Sequence, residues 1–455
     1  MLRLSVYGFA FVGLICVPTL WGVDDALDAA RKEYALHFFS AEAHVNLAKQ
    51  QYDHGDRLQA FSTLEAARRH HFEQEEFNRA FRRIFRGDTF DNSPQAVAAL
   101  RAKIKASPSD SESLSKLADI YISREDFAKA TPLLESVSKL RPEDFSPVAA
   151  LAEIYERSGK SEQSKSLISS WAKEHPESVQ AYEARIQMLQ NDESGNPRAL
   201  IEEALKKYPD EASLHFDLGI ALERAGDLAG TRREFDKAVQ LGPKVEHIQG
   251  WVARFYFMRK IDPRHALDLY LNVYFLNPDF YETEYAEQRI QRIAPEVAAS
   301  VVSKGTASDL QALQPAVEEL ILRASTETWR AESAAKVLRI MGSEDETNRA
   351  TAMMLLAEHR DSSIEEQVWK LLDDPDLCKR GMAAYLAAKW RPEKTFPALK
   401  KWLDDPAELV RFDAISALVE SGPAGLKIVQ EYARSGKETN QHIKNMMSEA
   451  LKPKK

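Results

Sequence analysis

Residues 212–243 read ASLHFDLGIALERAGDLAGTRREFDKAVQLGP. Apolar residues recur at helical spacing on both sides of Ala-Gly226-Asp227, the pattern of two amphipathic helices joined by a tight turn. A glycine just after a helix takes the left-handed conformation that ends it, and the aspartate behind it can accept N–H bonds from the next helix. Gly219 is a small residue where the two helices must cross, beside Leu218 and Leu222, with Phe235 and Ala238 on the second helix. Pro243 closes the stretch, because proline cannot continue a helix. A lone hairpin of this size cannot bury its apolar face, so it has to stack on copies of itself.

The copies are marked by prolines. Pro108, Pro142, Pro176, Pro209 and Pro243 stand 34, 34, 33 and 34 residues apart, and Pro278 follows 35 later. Ala118, Ala152, Gly219 and Ala253 share one phase of this period, and Leu47-Ala48, Ala60, Leu64 and Ala67 mark an earlier copy. His-Gly55-Asp56 and Ser-Gly159-Lys160 repeat the glycine turn. A period of 34 residues, with L-A/G-x-x-Y, then Ala, then a closing Pro, resembles the tetratricopeptide repeat. Five copies are clear, at 41–72, 111–142, 145–176, 212–243 and 246–278. Two are degenerate: 73–108 keeps only helical periodicity, and 179–209 has a longer turn at 191–195 that trims its second helix. Residues 24–40 read as an amphipathic helix capping the first copy.

Farther on the period changes. Arg349, Arg380 and Arg411 are 31 residues apart, each followed three residues later by Ala352, Ala383 or Ala414. Leu-Asp373-Asp374-Pro375 returns as Leu-Asp404-Asp405-Pro406. The acidic and proline residues suit a turn followed by the first turn of a helix. This second array is similar to HEAT-like repeats. The expected architecture is all-α: an α-solenoid, a tetratricopeptide superhelix over 24–278, an aromatic-rich helical junction over 279–309, HEAT-like repeats over 310–451 and a basic tail at 452–455.

Between the arrays, residues 251–285 hold ten of the chain's 41 aromatics. Trp251/Phe255, Tyr270/Tyr274 and Tyr281/Tyr285 are spaced i, i+4. Such a stripe is core packing by the general rule, here filling a joint between two differently wound arrays. A partner-binding patch is the sharper alternative, since Tyr and Trp dominate interface hot spots.

The amino terminus is different in kind. A short positive start, Met1-Leu-Arg3, precedes an apolar run from Val6 to Val23, which reads as an export signal over 1–22 or an uncleaved membrane anchor over 4–23. Cys16 falls within it, leaving Cys378 as the other cysteine and no internal disulfide. The net charge of −9 argues against nucleic acid as the partner.

The sequence holds no G-x-x-x-x-G-K-[ST], G-x-S-x-G, H-E-x-x-H or C-x-x-C. Ser113-Leu-Ser-Lys116 and Ser136-Val-Ser-Lys139 match a serine–lysine spacing without its companion motifs. His37 and His44 could share a helix face, but a metal would want a third ligand converging on them. No catalytic residue, cofactor or metal is expected.

In tetratricopeptide arrays the first helix of each unit lines a concave groove that holds a peptide or another protein. The resemblance therefore implies groove positions at Lys49, Tyr52, Asp119, Glu153, Glu156 and Gln187, continuing at Gln190, Glu223, Arg254 and Phe257; Tyr281 and Tyr285 are the partner-binding candidates of the aromatic segment, if it is a patch. The expectation is an exported scaffold, periplasmic or envelope-associated, that binds protein or peptide partners and serves assembly of an envelope complex. An accessory subunit or enzyme, with a site of scattered residues at the junction, is the alternative.

Overall fold

A computed structural model describes residues 25–69, 74–86, 93–191, 196–276, 281–304, 307–330 and 332–452. The signal or anchor segment, Cys16 and Pro278 lie outside these residues, as does most of the 452–455 tail. All regular structure among them is helical. The helices of the first array run α1 (Asp25–Leu36), α2 (Ala41–His54), α3 (Arg57–Arg69), α4 (Gln74–Arg86), α5 (Pro94–Ala106), α6 (Ser111–Ser123), α7 (Phe127–Leu140), α8 (Ser146–Arg157) and α9 (Ser161–Glu174). They continue as α10 (Val179–Asn191), α11 (Arg198–Lys207), α12 (Ala212–Arg224), α13 (Leu228–Leu241), α14 (Glu246–Arg259) and α15 (Pro263–Leu276).

The repeat chemistry is visible turn by turn. Pro108, Pro142, Pro176, Pro209 and Pro243 each stand two residues beyond the end of a helix, those of α5, α7, α9, α11 and α13. Gly55, Gly159 and Gly226 are left-handed, with φ of 99°, 72° and 80°. Glu125 and Lys260, at φ 57° and 53°, take the same turn without glycine. Asp227 caps α13 by accepting from the Gly230 amide at 2.8 Å, whereas the Asp56 carboxylate meets His54 Nδ1 at 3.0 Å instead. Gly219 has no room for a side chain, since a Cβ there would run into the ring of Phe235. The longer turn expected at 191–195 lies, beyond Asn191, outside the described residues; α11 has 10 residues, against 14 for α13.

The remaining helices are α16 (Tyr281–Lys304), α17 (Ala307–Ala312), α18 (Gln314–Glu327), α19 (Ser333–Ile340), α20 (Glu346–His359), α21 (Glu365–Leu371), α22 (Leu377–Trp390), α23 (Pro392–Trp402), α24 (Glu408–Glu420), α25 (Pro423–Ser435) and α26 (Gln441–Ala450). The Asp-Asp-Pro motifs are turns: Asp374 Oδ1 accepts from the Asp376 amide and Asp405 Oδ1 from the Ala407 amide, both at 2.9 Å. Pro375 and Pro406 sit in those turns, ahead of α22 and α24. Two of the three repeated arginines hold the loops before their own helices. Arg349 donates to the Ser343 carbonyl at 2.8 Å and Arg411 to the Asp405 carbonyl at 2.9 Å, each reaching back six residues.

Two compact units result: Thr89–Phe255, and Met1–Asp88 together with Tyr256–Lys455. Residues assigned by period to the first array are thus divided between the units. Period records the kind of hairpin, while compactness records which side chains meet. In the unit containing both ends of the sequence, Leu27, Ala30, Tyr34 and Phe38 from α1 and its following turn share a core with Leu47 and with Leu409 of α24. In the other unit, α5 to α9 pack around Leu117, Tyr121, Leu134 and Leu151, and α10 to α12 around Tyr182, Ile186, Ile201 and Leu214.

Candidate interaction surface

Within the Thr89–Phe255 unit, the first helix of each hairpin buries its small crossing residue and turns the neighbouring polar residue outward. Ala118 and Ala152 are buried, while Asp119 on α6 and Glu153 and Glu156 on α8 are exposed. Gln187 on α10 is exposed and Glu223 on α12 is half-buried. The side chain of Gln190 lies outside the described residues. Partial covering of its carboxyl group by neighbouring atoms raises Asp119 above its usual range. Burial also raises Glu183 on α10, although the Ser213 hydroxyl donates to it. Three of these exposed positions, Asp119, Glu153 and Glu156, carry carboxylates, with Arg157 beside Glu153.

One end of the same unit is aromatic. Trp251 on α14 is 43% exposed, unusual for a ring of that size. Its ring centroid lies 6.2 Å from that of Phe216 on α12, and Phe216 also meets His247 at 5.8 Å. The guanidinium of Arg254, itself exposed, sits 5.5 Å from the Trp251 ring. Burial lowers the His247 pKa, favouring the neutral ring. Phe216 and His247 escaped the sequence reading because they occupy positions that, in other copies, hold small or polar residues.

In the second unit the groove candidates are engaged in packing. Lys49 pairs with Asp53 one turn along α2, at 2.5 Å to Oδ1. Tyr52 is half-buried, 4.7 Å from Phe275 and 5.8 Å from Phe85 between ring centroids. Phe257 is half-buried under Arg289 and Arg292, whose guanidinium carbons lie 4.9 and 5.4 Å from its ring. Tyr281 and Tyr285 stand in the first turns of α16, and their side chains lie outside the described residues. Tyr256, Tyr270, Tyr274 and Phe275 are buried. The aromatic segment thus contains packed rings and also, at Trp251, an open one.

Buried and half-buried polar groups in this unit tie its helices together. Glu344, ahead of α20, accepts from Arg31 Nε at 2.8 Å and from Gln51 Nε2 at 2.7 Å, and Gln51 in turn accepts from the Thr63 hydroxyl at 2.8 Å. Burial pushes Glu318 up to about 7, against donors on Ser343, Gln314 and Asn348. Glu65 is likewise pushed to about 7 by burial while accepting from Tyr274 Oη at 2.6 Å. Asp413 is pushed to about 7 by burial, Arg349 and Arg380 opposing, and its Oδ2 has no hydrogen-bond partner among the described residues. These carboxyls are packed among helices.

The motifs weighed for chemistry have structural explanations. Ser113 donates its hydroxyl to the N-cap Asp110 at 2.7 Å, and Lys116 pairs with Glu112 at 2.6 Å. His44 is buried against Tyr34, with Nδ1 3.0 Å from the Ser40 carbonyl, whereas His37 is exposed beside Glu33. Among the described residues, no three His, Cys, Asp or Glu side chains are grouped to hold a metal, and no helix is long and apolar enough to cross a membrane. The side chain of Cys378 lies outside those residues.

Comparison with known proteins places the repeats independently. A tetratricopeptide repeat model matches residues 198–246 and a HEAT repeats model matches 334–419. The chain therefore carries both kinds of repeat. No curated protein matches it. Among solved structures, the human IFIT1 dimer with PPP-AAAA is 13% identical over 91% of this chain and 95% of that one, with a TM-score of 0.30. The P58(IPK) TPR domain is 12% identical over 90% and 97%, with a TM-score of 0.22. Naa15/Naa10 bound to HypK-THB is 13% identical over 82% and 65%, with a TM-score of 0.26.

Proposed function

We propose that this chain is a non-enzymatic scaffold, exported to the periplasm or envelope, that holds a protein or peptide partner on its repeat helices during assembly of an envelope complex. The observation that carries the reading is the exposure of Asp119, Glu153, Glu156 and Gln187 on successive first helices, α6, α8 and α10. Stacked hairpins of this kind make extended surfaces suited to binding. Trp251 beside Phe216 and Arg254 supplies an aromatic anchor of the type that dominates interface energetics. The exposed carboxylates and the net charge of −9 favour a polypeptide over nucleic acid as partner. Export rests on the pattern of residues 1–23, and the HEAT-like helices offer a further surface.

Photo-crosslinking amino acids placed at 119, 153, 187 and 254 in the full chain, in its native cells, test the idea. One common partner should be captured from these positions, not from Glu162 or Lys165 on α9, and Trp251→Ala should abolish it. Equal capture from α9, or capture unaffected by Trp251→Ala, would sink the reading. The mass of the mature protein separately decides whether the amino-terminal segment is removed; an intact chain in the membrane fraction favours an anchor.

A further inference from the structure

Where α5, α6 and α7 meet, inside the Thr89–Phe255 unit, lies an open pocket of about 470 Å³, within the roughly 300–1,000 Å³ usual for ligand sites. Its lining includes the apolar Ile104, Leu117, Pro132 and Leu133 together with Arg101, Lys105 and Lys129. This concentration of cations is local to an acidic chain: α5 holds Arg101, Lys103 and Lys105 and no carboxylate. The guanidinium of Arg101 is fixed by two donations to Tyr121 Oη, from Nε at 3.2 Å and Nη2 at 2.5 Å. Tyr121 is buried, so this donor group is oriented in advance. The Lys129 ammonium lies 5.5 Å from the same ring and pairs with Asp126. Lys105 has no ion-pair partner among the described residues.

A helix C-terminus attracts cations without any ligand, which accounts for Lys103 and Lys105 as charges. It does not account for Arg101 and Lys129, on two different helices, framing one apolar hollow over one tyrosine. We propose that this pocket binds an acidic peptide segment of a partner protein, its carboxylate held among Arg101, Lys105 and Lys129 and an adjacent apolar side chain seated against the apolar lining. A nucleic-acid strand would need cations tracking its phosphates and stacking platforms, and three cations around an apolar hollow do not supply that. The pocket lies on different residues from the exposed face of the proposed scaffold, and it stands or falls separately from that face.

The test titrates purified full-length protein with a labelled peptide carrying Glu-Leu-Glu and with its Gln-Leu-Gln counterpart, following fluorescence anisotropy. Inorganic phosphate and vesicles of anionic lipid serve as competitors. The acidic peptide should bind at least tenfold more tightly than the neutral one, more weakly as salt rises. The double charge reversal Lys105→Glu with Lys129→Glu, both exposed, should remove binding, and Leu133→Ser should weaken it several-fold. Melting of each variant, set beside the parent, separates lost binding from lost folding. Equal binding of the two peptides, no effect of the charge reversal, or full displacement by phosphate or anionic vesicles at concentrations comparable to the peptide would overturn the proposal.

Discussion

Replacing Phe38 by Ala probes the least local feature of this fold. Phe38 follows α1 and is 2% exposed. Its ring meets Tyr34 at 5.3 Å and His44 at 5.6 Å, but also Phe412 of α24 at 5.8 Å. Phe39 beside it stacks on His442 at 5.0 Å and donates its amide to Glu408 at 3.3 Å. Truncating a fully buried phenylalanine costs about 3–5 kcal/mol, transfer and cavity together. In a simple stack that loss would stay with α1 and α2, because each repeat touches only its neighbours. Here α24 should share it. Hydrogen exchange followed by mass spectrometry on Phe38→Ala should show protection falling in α24 as well as in α1, by up to about two to four powers of ten where exchange reports that free energy. Phe235→Ala, in the other compact unit, should leave α24 unchanged. If Phe38→Ala frays α1 while α24 keeps its protection, the claim that these distant segments form one cooperative core is refuted.

Two further outcomes are expected. Asp413, pushed to about 7 by burial, binds more protons folded than unfolded between the ordinary carboxylate range and that value, so its contribution to stability falls as pH rises through the window. The slope is at most about 1.4 kcal/mol per pH unit. Urea unfolding of Asp413→Asn should accordingly be flatter with pH than the parent and gain on it as pH rises from the carboxylate range to about 7; parallel profiles would contradict this. Gly219→Ala should destabilise by about 1–3 kcal/mol through overpacking against Phe235, and unchanged chemical denaturation would mean that the crossing has slack.

Much of this was legible because hairpin chemistry is local. Prolines, crossing residues and glycine turns lie within one 34-residue period, and helices of three to four turns display their buried face at i, i+3 and i+4. Where another side chain took over a turn, as Glu125 and Lys260 did at positive φ, the glycine signal disappeared while the geometry persisted. Arg349 and Arg411 were visible as part of a period, but not as loop clasps, since a carbonyl six residues back leaves no mark in the sequence. Among the binding candidates, exposure at Asp119, Glu153, Glu156 and Gln187 followed from phase alone. Tyr52 has the same phase, yet Phe85 and Phe275 cover it. Its neighbours come from remote parts of the chain.

That remote packing also explains why so much polar chemistry is concentrated in one unit. Apolar contact is non-directional, so two helical surfaces can slide past one another by a turn and still bury similar area. Hydrogen bonds to a fixed acceptor cannot slide in that way. Glu344 accepts from Arg31, which belongs to α1, and from Gln51, which belongs to α2, and Thr63 of α3 holds Gln51 in place. Three consecutive helices from the start of the described chain are thereby registered against one carboxylate ahead of α20. Ion pairs left half-exposed, as Arg31–Glu344 is, add little net stability. Their contribution here is to select one docking register among several apolar alternatives, which a chain built of near-identical hairpins requires.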